Sequence, residues 1–385
     1  MPLTKTVVKE LDLTEITALA ATKKGERNKA ADYMLPLMQN GVKLFIRNVR
    51  TELRLLQAGQ AWLPLTVNEQ EYDNSYVCSP YGTYVKYAEE ELYLLENPLL
   101  RFLCGSLLKA IAPLLRWAQI DRNVHVNNWL LSTNLYTEIS SYELEGATQT
   151  LTASYPKHAI IYRSLNRRTN EKLLAQLLQQ GYVLVPSRQV YFFNGADPLY
   201  LKKKNTKWDR KLLAQSGYRI VPHAELGEPD YERIAELYDL LYVGKYSALN
   251  PQFTAEYIRH CHQKGLLEMT GLRDEKGVLQ GVMGCFIHGE VISVPLVGYN
   301  TALPQHNGLY RILMHLAMQA AADRGQLLHL SSGAANFKRI RGAEAEMEYS
   351  AVYIRHLSAG RRAVWSGLSK LLLAAGVPLM RKYKL

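Results

Sequence analysis

The sequence predicts an α/β fold (an α+β mixed sheet) arranged as two similar domains in tandem. Three observations predict it. At 385 residues the chain is too long for one hydrophobic core. Its two halves share a rhythm in which strands precede a long helix, followed by strand, helix and strand. One stretch, Leu279 to Arg355, spells out such a unit in full. It reads as strands at 279–288 and 291–298, a turn at Pro304–Gly308, and an amphipathic helix at 309–324. A strand at 327–330, a short helix at 334–341 and a strand at 345–355 complete it.

The first half begins with a weakly patterned helical region up to about residue 40. Apolar and polar residues alternate over 42–50 and 52–57, as in strands, and 61–67 follows after Ala58-Gly59-Gln60 as the return arm of a hairpin. Asn97 caps a helix reaching Ala118, with Pro98 in its first turn and Pro113 as a kink. Strands at 124–131 and 159–162, helices at 142–154 and 170–180, and a strand at 182–193 follow. A linker near residue 200 separates the domains, 1–200 and 201–360, with a helix and basic tail at 361–385. The second half opens with a basic helix (204–216), a short strand (219–221) and helices at 231–242 and 254–264. Gln179-Gln180-Gly181-Tyr182 and Gln215-Ser216-Gly217-Tyr218 stop a helix before a strand in the same way.

Composition narrows the function. Hydrophobic residues make up 48% and charged residues 21%, as in ordinary globular proteins. No run of about 18 uncharged apolar residues appears, so no transmembrane segment is expected, and the N-terminus has no secretory pattern. Cys78, Cys104, Cys261 and Cys285 lack metal spacing and read as free thiols of a cytoplasmic protein. The histidines also lack metal spacing, so no metal is expected. A formal charge of +11 favours an anionic partner: CoA, a phosphorylated carrier, tRNA or an acidic membrane surface. Basic residues concentrate at Lys202–Arg219 and from Lys338 to the C-terminus.

Four motifs between about 200 and 355 carry a resemblance. They are Lys203–Gly217 (KKNTKWDRKLLAQSG), the hairpin 280–299 ending in Gly298-Tyr299, Gly308-Leu309-Tyr310 opening a helix, and Ser332-Gly333 followed by Asn336-Phe337-Lys338 and Gly342. In this order they resemble the GNAT acyltransferase superfamily, and within it the FemAB-like branch of two GNAT-like domains in tandem. The resemblance implies transfer of an acyl or aminoacyl group. Two positions depart from the general GNAT pattern. Tyr310 stands where the pyrophosphate loop (Gln305 to Tyr310) has a small residue, and Phe337 falls near the usual general-acid tyrosine.

Acyl transfer to an amine needs a polarised donor carbonyl, a deprotonated amine and a proton for the leaving group. Backbone N–H groups near Val297 are candidates for the carbonyl, and Ser331, Ser332 and Gly333 end the facing strand. The alternative for the two serines is capping of the next helix. Lys338 resembles the lysine that FemAB-like enzymes set beside the reacting carbonyl, with Arg341 on the same helix face. Tyr246 and Asn250 stand in the loop GKYSALNPQF expected to border the acceptor, and Tyr299 is placed to act on the leaving group. Gln305 and Gly308 form the phosphate-side turn.

Three functions fit these residues. The first is an N-acyltransferase taking its acyl group from acyl-CoA or from an acyl carrier protein with a phosphopantetheinyl arm, with an amine-bearing acceptor. The second is a FemAB-like transferase using aminoacyl-tRNA. The third is a non-catalytic binding protein, with Trp365, Leu368, Leu371–Leu373 and the flanking cations as a peripheral membrane helix.

Overall fold

The computed structural model describes residues 8–21 and 26–384. The helical start expected for residues 1 to about 40 lies partly outside these. The chain divides into two compact units: one holds the residues up to Lys43, Asn48–Arg188 and Met347 onward, the other Leu44–Arg47 and Gln189–Glu346. The junction therefore falls at Arg188 rather than near residue 200, and the last strand and C-terminal helices belong with the first unit. The crossings at Arg188 and Met347 lie inside the strands Val183–Asn194 and Glu344–Tyr353, so no Gly- or Pro-rich linker marks them.

The first unit contains β1 (Val8–Leu11), α1 (Leu13–Ala20), α2 (Glu26–Asn40), the start of α3 (Val42–Phe45), β2 (Glu52–Ala58), β3 (Ala61–Asn68) and α4 (Ala88–Glu91). Then come α5 (Pro98–Trp117), β4 (Asn123–Val126), α6 (Ser141–Ser154), β5 (Ala159–Leu165), α7 (Arg167–Gln179) and the start of β6 (Val183–Asn194). The second unit contains the end of β6, α8 (Lys204–Gln215), β7 (Arg219–Val221), α9 (Tyr231–Tyr238) and α10 (Ala255–Gln263). Strands β8 (Glu268–Arg273), β9 (Leu279–His288) and β10 (Val291–Tyr299) follow, then α11 (Leu309–Arg324), β11 (Leu327–His329) and α12 (Ala335–Arg339). The chain returns to the first unit through β12 (Glu344–Tyr353) and ends with α13 (Ala359–Leu371) and α14 (Val377–Tyr383).

The duplication expected from the rhythm of the sequence is present in the strand pairing. In the first unit the strands run β1-β2-β3-β4-β5-β12, antiparallel except for the parallel pair β4–β5. In the second they run β7-β8-β9-β10-β11-β6, antiparallel except for the parallel pair β10–β11. The sixth strand is exchanged: β6 follows β5 in the chain but pairs with β11, and β12 follows β11 but pairs with β5. Both faces of the first sheet are covered. Ile160 and Tyr162 of β5 join the core under α6 and α7, while Ala159 and Ile161 join the one under α5 and α13. That double burial explains the apolar run Ala159–Tyr162 at the start of β5. In the second unit Ile292, Leu328 and Phe193 pack against α11.

Three expectations are corrected. Residues 42–50 do not form a strand. Val42, Phe45, Ile46 and Val49 are the buried positions, a helical spacing, and α3 forms there. The strand expected over 124–131 stops at Val126 because Asn127 and Leu130 take left-handed backbone (φ 57° and 55°). Side-chain amides replace the ladder: Asn127 donates to the Leu135 carbonyl at 2.7 Å and Asn128 to that of Val77 at 2.9 Å. Finally, α5 and the helical stretch Ala359–Tyr383 are long and apolar enough to cross a membrane by length and composition. The expectation of no such segment rested on an uncharged run, and Arg101, Lys109 and Lys370 interrupt these two.

One buried ion cluster fixes the helices of the second unit. Asp209 of α8 is 1% exposed and accepts from Arg341 (Nε 2.5 Å, Nη2 2.9 Å) and from Arg311 of α11 (Nε 3.0 Å, Nη2 2.7 Å). Removing one partner of a buried ion pair strands the other in a poorly solvating interior. Asp209→Ala is expected to cost about 3–5 kcal/mol, seen as a lower urea midpoint at unchanged slope.

Candidate functional site

The site is built on the end of the β10–β11 ladder. These strands pair over three positions only, Val291 with Leu327, Ile292 with Leu328 and Ser293 with His329. Strand β11 then stops, while β10 runs on to Tyr299. Its pairing with β9 breaks register between Ser293 and Leu296, a bulge that contains Val294 and Pro295. Proline lacks the N–H a ladder needs, and a bulge turns the strand away from its neighbour. The two parallel strands therefore part beyond Ser293, and Val297, buried opposite Met283, lies on the diverging portion of β10.

The strand end after β11 is a tight knot. Ser331, Gly333 and Ala334 all have left-handed backbone. The Ser331 N–H donates to His329 Nδ1 at 3.0 Å, and the Ser331 carbonyl accepts from the Tyr191 N–H at 3.2 Å. Lys338 is 3% exposed, and its ammonium donates to the carbonyls of Leu330 (2.7 Å), Ser331 (3.2 Å) and Ser332 (2.8 Å). An ammonium has three protons, so all are directed at the chain's own carbonyls. Lys338 thus shapes the turn, in place of the free cation expected beside an oxyanion. Arg341 is likewise committed, to Asp209 and to the Phe337 carbonyl at 3.0 Å. Serine capping does not occur either: α12 starts from Ala334 with no side-chain cap. Gly333 is exposed.

Across from this knot stands the start of α11. Gln305 is exposed in a 3-10 turn, and Gly308 (φ 67°) begins the helix without a side-chain cap. Glycine suits position 308 because its backbone is left-handed (φ 67°), and a Cβ there would also press on the tip of the Leu212 side chain. An uncapped helix start directs backbone N–H groups outward, as anion sites do. The Tyr310 ring packs 5.1 Å from Phe337 and 6.4 Å from Tyr299.

Tyr246 and Tyr299 are brought together around Tyr310. The α9 helix continues as a π-helical segment, Asp239–Tyr246, which places Tyr242 and Tyr246 with ring centroids 5.9 Å apart. Burial first, then the neighbouring phenols of Tyr246, Tyr242 and Tyr299, push the Tyr310 phenol above its ordinary range. Lys245 donates to the Tyr299 hydroxyl at 3.4 Å. Asn250 takes no part. It is buried and donates to the carbonyls of Tyr242 (3.1 Å) and Ser247 (3.0 Å), closing its own loop.

Sequence reasoning passed over Tyr242 and Lys245, and saw Tyr310 only as an obstacle. The spacing of Tyr238, Tyr242 and Tyr246, four apart on one helix, was the available signal. Ser293 was also missed. Its buried hydroxyl has no hydrogen-bond partner at the last rung before the strands part. Nothing local in the sequence marks that rung.

Residues 202–339 match the sequence model of the acetyltransferase (GNAT) domain. No curated protein matches the chain. Among solved structures it is similar to the C-terminal domain (DUF2156) assigned to a lysylphosphatidylglycerol synthetase from Agrobacterium fabrum. That match has 10% identity and a TM-score of 0.53, over 94% of this chain and 96% of that one. A conserved protein of unknown function from Bacteroides thetaiotaomicron VPI-5482 aligns with 10% identity and a TM-score of 0.50, over 90% and 99%. Both share the fold over nearly the whole chain. FemX aligns with 9% identity and a TM-score of 0.42, over 53% and 75%.

The knot yields a prediction. Lys338→Met leaves three carbonyls without their donor and is expected to lower stability by about 2–4 kcal/mol in urea denaturation. An unchanged urea midpoint with lost turnover would instead return Lys338 to a direct role.

Proposed function

From the GNAT acetyltransferase domain that this chain carries at residues 202–339, we propose an N-acyltransferase acting on a thioester donor and an amine acceptor. The observation that carries the proposal is the parting of β10 and β11 after Ser293 and His329. Backbone freed from a ladder must find other partners, and a pantetheine arm offers amides of matching spacing. In the reaction the amine nitrogen attacks the thioester carbonyl, a C–N bond forms and the C–S bond breaks. The amine proton passes to water, and the leaving thiolate takes one from a phenol. Tyr299 and Tyr310 are the donors we assign. Burial keeps the Tyr310 phenol protonated across the neutral range and also makes it a weaker acid, so its proton transfer depends on contact with the leaving thiolate. The bulk of Tyr310 at the phosphate-side turn favours a carrier-borne phosphopantetheine over free CoA. Such donors are cytoplasmic, and the reading carries that location with it.

A second reading rests on a different observation. Lys202, Lys204, Lys207, Arg210 and Lys211, on α8 and just before it, are all exposed. A cationic helix of this kind suits an RNA backbone, and so an aminoacyl-tRNA donor. The domain from Agrobacterium fabrum, assigned to a lysylphosphatidylglycerol synthetase, is consistent with aminoacyl chemistry on this fold.

The test offers acyl-CoA, acylated carrier protein and aminoacyl-tRNA in parallel with a panel of primary amines, with amide product followed by mass spectrometry. Product from a thioester, resistant to RNase, supports the first reading. Product only from aminoacyl-tRNA, lost with RNase and falling steeply with salt, replaces it with the second. No product and no change in melting temperature with any donor sinks both. With the productive donor, Tyr310→Phe is expected to lower kcat about 100-fold while the melting temperature stays within a few degrees.

A further inference from the structure

We propose that α5 is a membrane-contact helix that seats the first unit on an anionic lipid surface. The helix is apolar on two opposite faces. Its inner face, with Leu115 buried and Ile111 and Ala112 half-buried, packs on the core formed with Trp365 and Leu368 of α13. Its outer face carries Leu99 (66% exposed), Phe102 (69%), Leu103 (54%), Leu114 (48%) and Trp117 (64%). With Leu107 (44%) they fall on one side of the helix by its 3.6-residue period and form one stripe along it. Among the described residues only 6% of the apolar window of α5 is buried. A contiguous stripe of this kind on a soluble chain marks a docking surface.

Charge selects the occupant. Within α5 the charged residues are Arg101, Lys109 and Arg116, and the segment 359–384 adds six cations with no acid, while Glu89, Glu90, Glu91 and Glu96 stand just before α5. The two segments adjoin: a Cβ on Gly360 would lie 2.7 Å from the Trp117 ring, and Arg361 donates to the Ala118 carbonyl at 2.7 Å. A second copy seated on this face would oppose cation to cation. A bilayer with anionic headgroups meets both properties, taking the apolar stripe into its acyl boundary and the cations at its surface. Because the inner face of α5 is packed on the protein, the helix lies on the bilayer rather than through it.

The experiment is vesicle flotation of the full chain. The wild-type protein is expected to float with phosphatidylcholine vesicles containing roughly one-third phosphatidylglycerol and to stay behind with pure phosphatidylcholine. Phe102→Glu/Leu103→Glu, at two exposed positions, is expected to lower binding about tenfold or more with an unchanged circular dichroism spectrum. Brominated lipid provides a second measurement should that variant misfold: it should quench wild-type tryptophan emission, and the quenched component should be missing in Trp117→Phe. The proposal is overturned if the wild-type protein ignores anionic vesicles, or if binding survives the double substitution with no Trp117 quenching. It is also overturned if the stripe proves to hold a dimer that the substitution dissociates. Acyl-transfer turnover in detergent-free buffer is a separate readout, so neither result decides the other.

Discussion

The early end of the β10–β11 ladder is the constraint on which the second unit depends. A parallel pair is held by evenly spaced bonds between strands that run together. Here Pro295 and the bulge beside it turn β10 away after three rungs. The groups around the opening hold it in shape. The chain leaving β11 cannot rejoin a ladder, so its carbonyls need donors from elsewhere. Lys338 supplies them to Leu330, Ser331 and Ser332, and His329 takes the Ser331 N–H. Asp209 then draws α8 and α11 together with Arg341, so the helix starts around the opening are fixed by buried charge.

This division of labour changes the meaning of the basic residues. A lysine and an arginine after a strand-end Ser-Ser-Gly read as ligands for a reacting carbonyl. In the fold they serve the architecture, because burying a cation is tolerable only when every proton is placed. The proposed chemistry rests instead on the phenols gathered around Tyr310. A phenol is uncharged, so it can stand in a partly dry cleft at little cost and still give up a proton.

Much of the fold was legible. Helix 309–324 and strand 279–288 were read to the residue, since Gly308 and Gly325 bracket the one and turn residues bound the other. The repeated order of elements was legible too, because each unit repeats five strands in the same sequence order. The exchange of β6 and β12 was not: both strands are followed and preceded by the expected neighbours in the chain, and pairing is a long-range property. The end of β4 was hidden for a related reason. Asn127 and Asn128 look like poor strand residues in a strand, and only the carbonyls they meet, Leu135 and Val77, explain their places. Around the site, Tyr246 and Tyr299 were singled out from the loop GKYSALNPQF and the hairpin end, and the structure sets Tyr299 beside Tyr310. The roles of Lys338 and Arg341 were misread because burial decides whether a cation is a ligand or a brace, and burial is not written locally.

The two units also differ in a way their common topology does not require. Both have a parallel pair flanked by an exchanged strand, yet the opening beyond it is treated differently. In the second unit the strand end remains beside an uncapped helix start and a cluster of phenols. In the first, the residues after β4 fold back into the protein: Trp129 Nε1 donates to Asn127, Arg163 is buried and donates to the Leu131 carbonyl, and Arg188 pairs with the buried Glu348. A buried pair of this kind costs desolvation that only good geometry returns, and Arg188 reaches Glu348 at 2.9 Å. These side chains occupy the space just after β4, while a small cavity of about 80 Å³ remains between Tyr136–Ile139 and the start of α7 at Thr169 and Asn170. The distinctive surface of the first unit is instead the bare apolar helix α5. Duplication of one fold has thus left the two copies with different side chains at the end of the parallel pair.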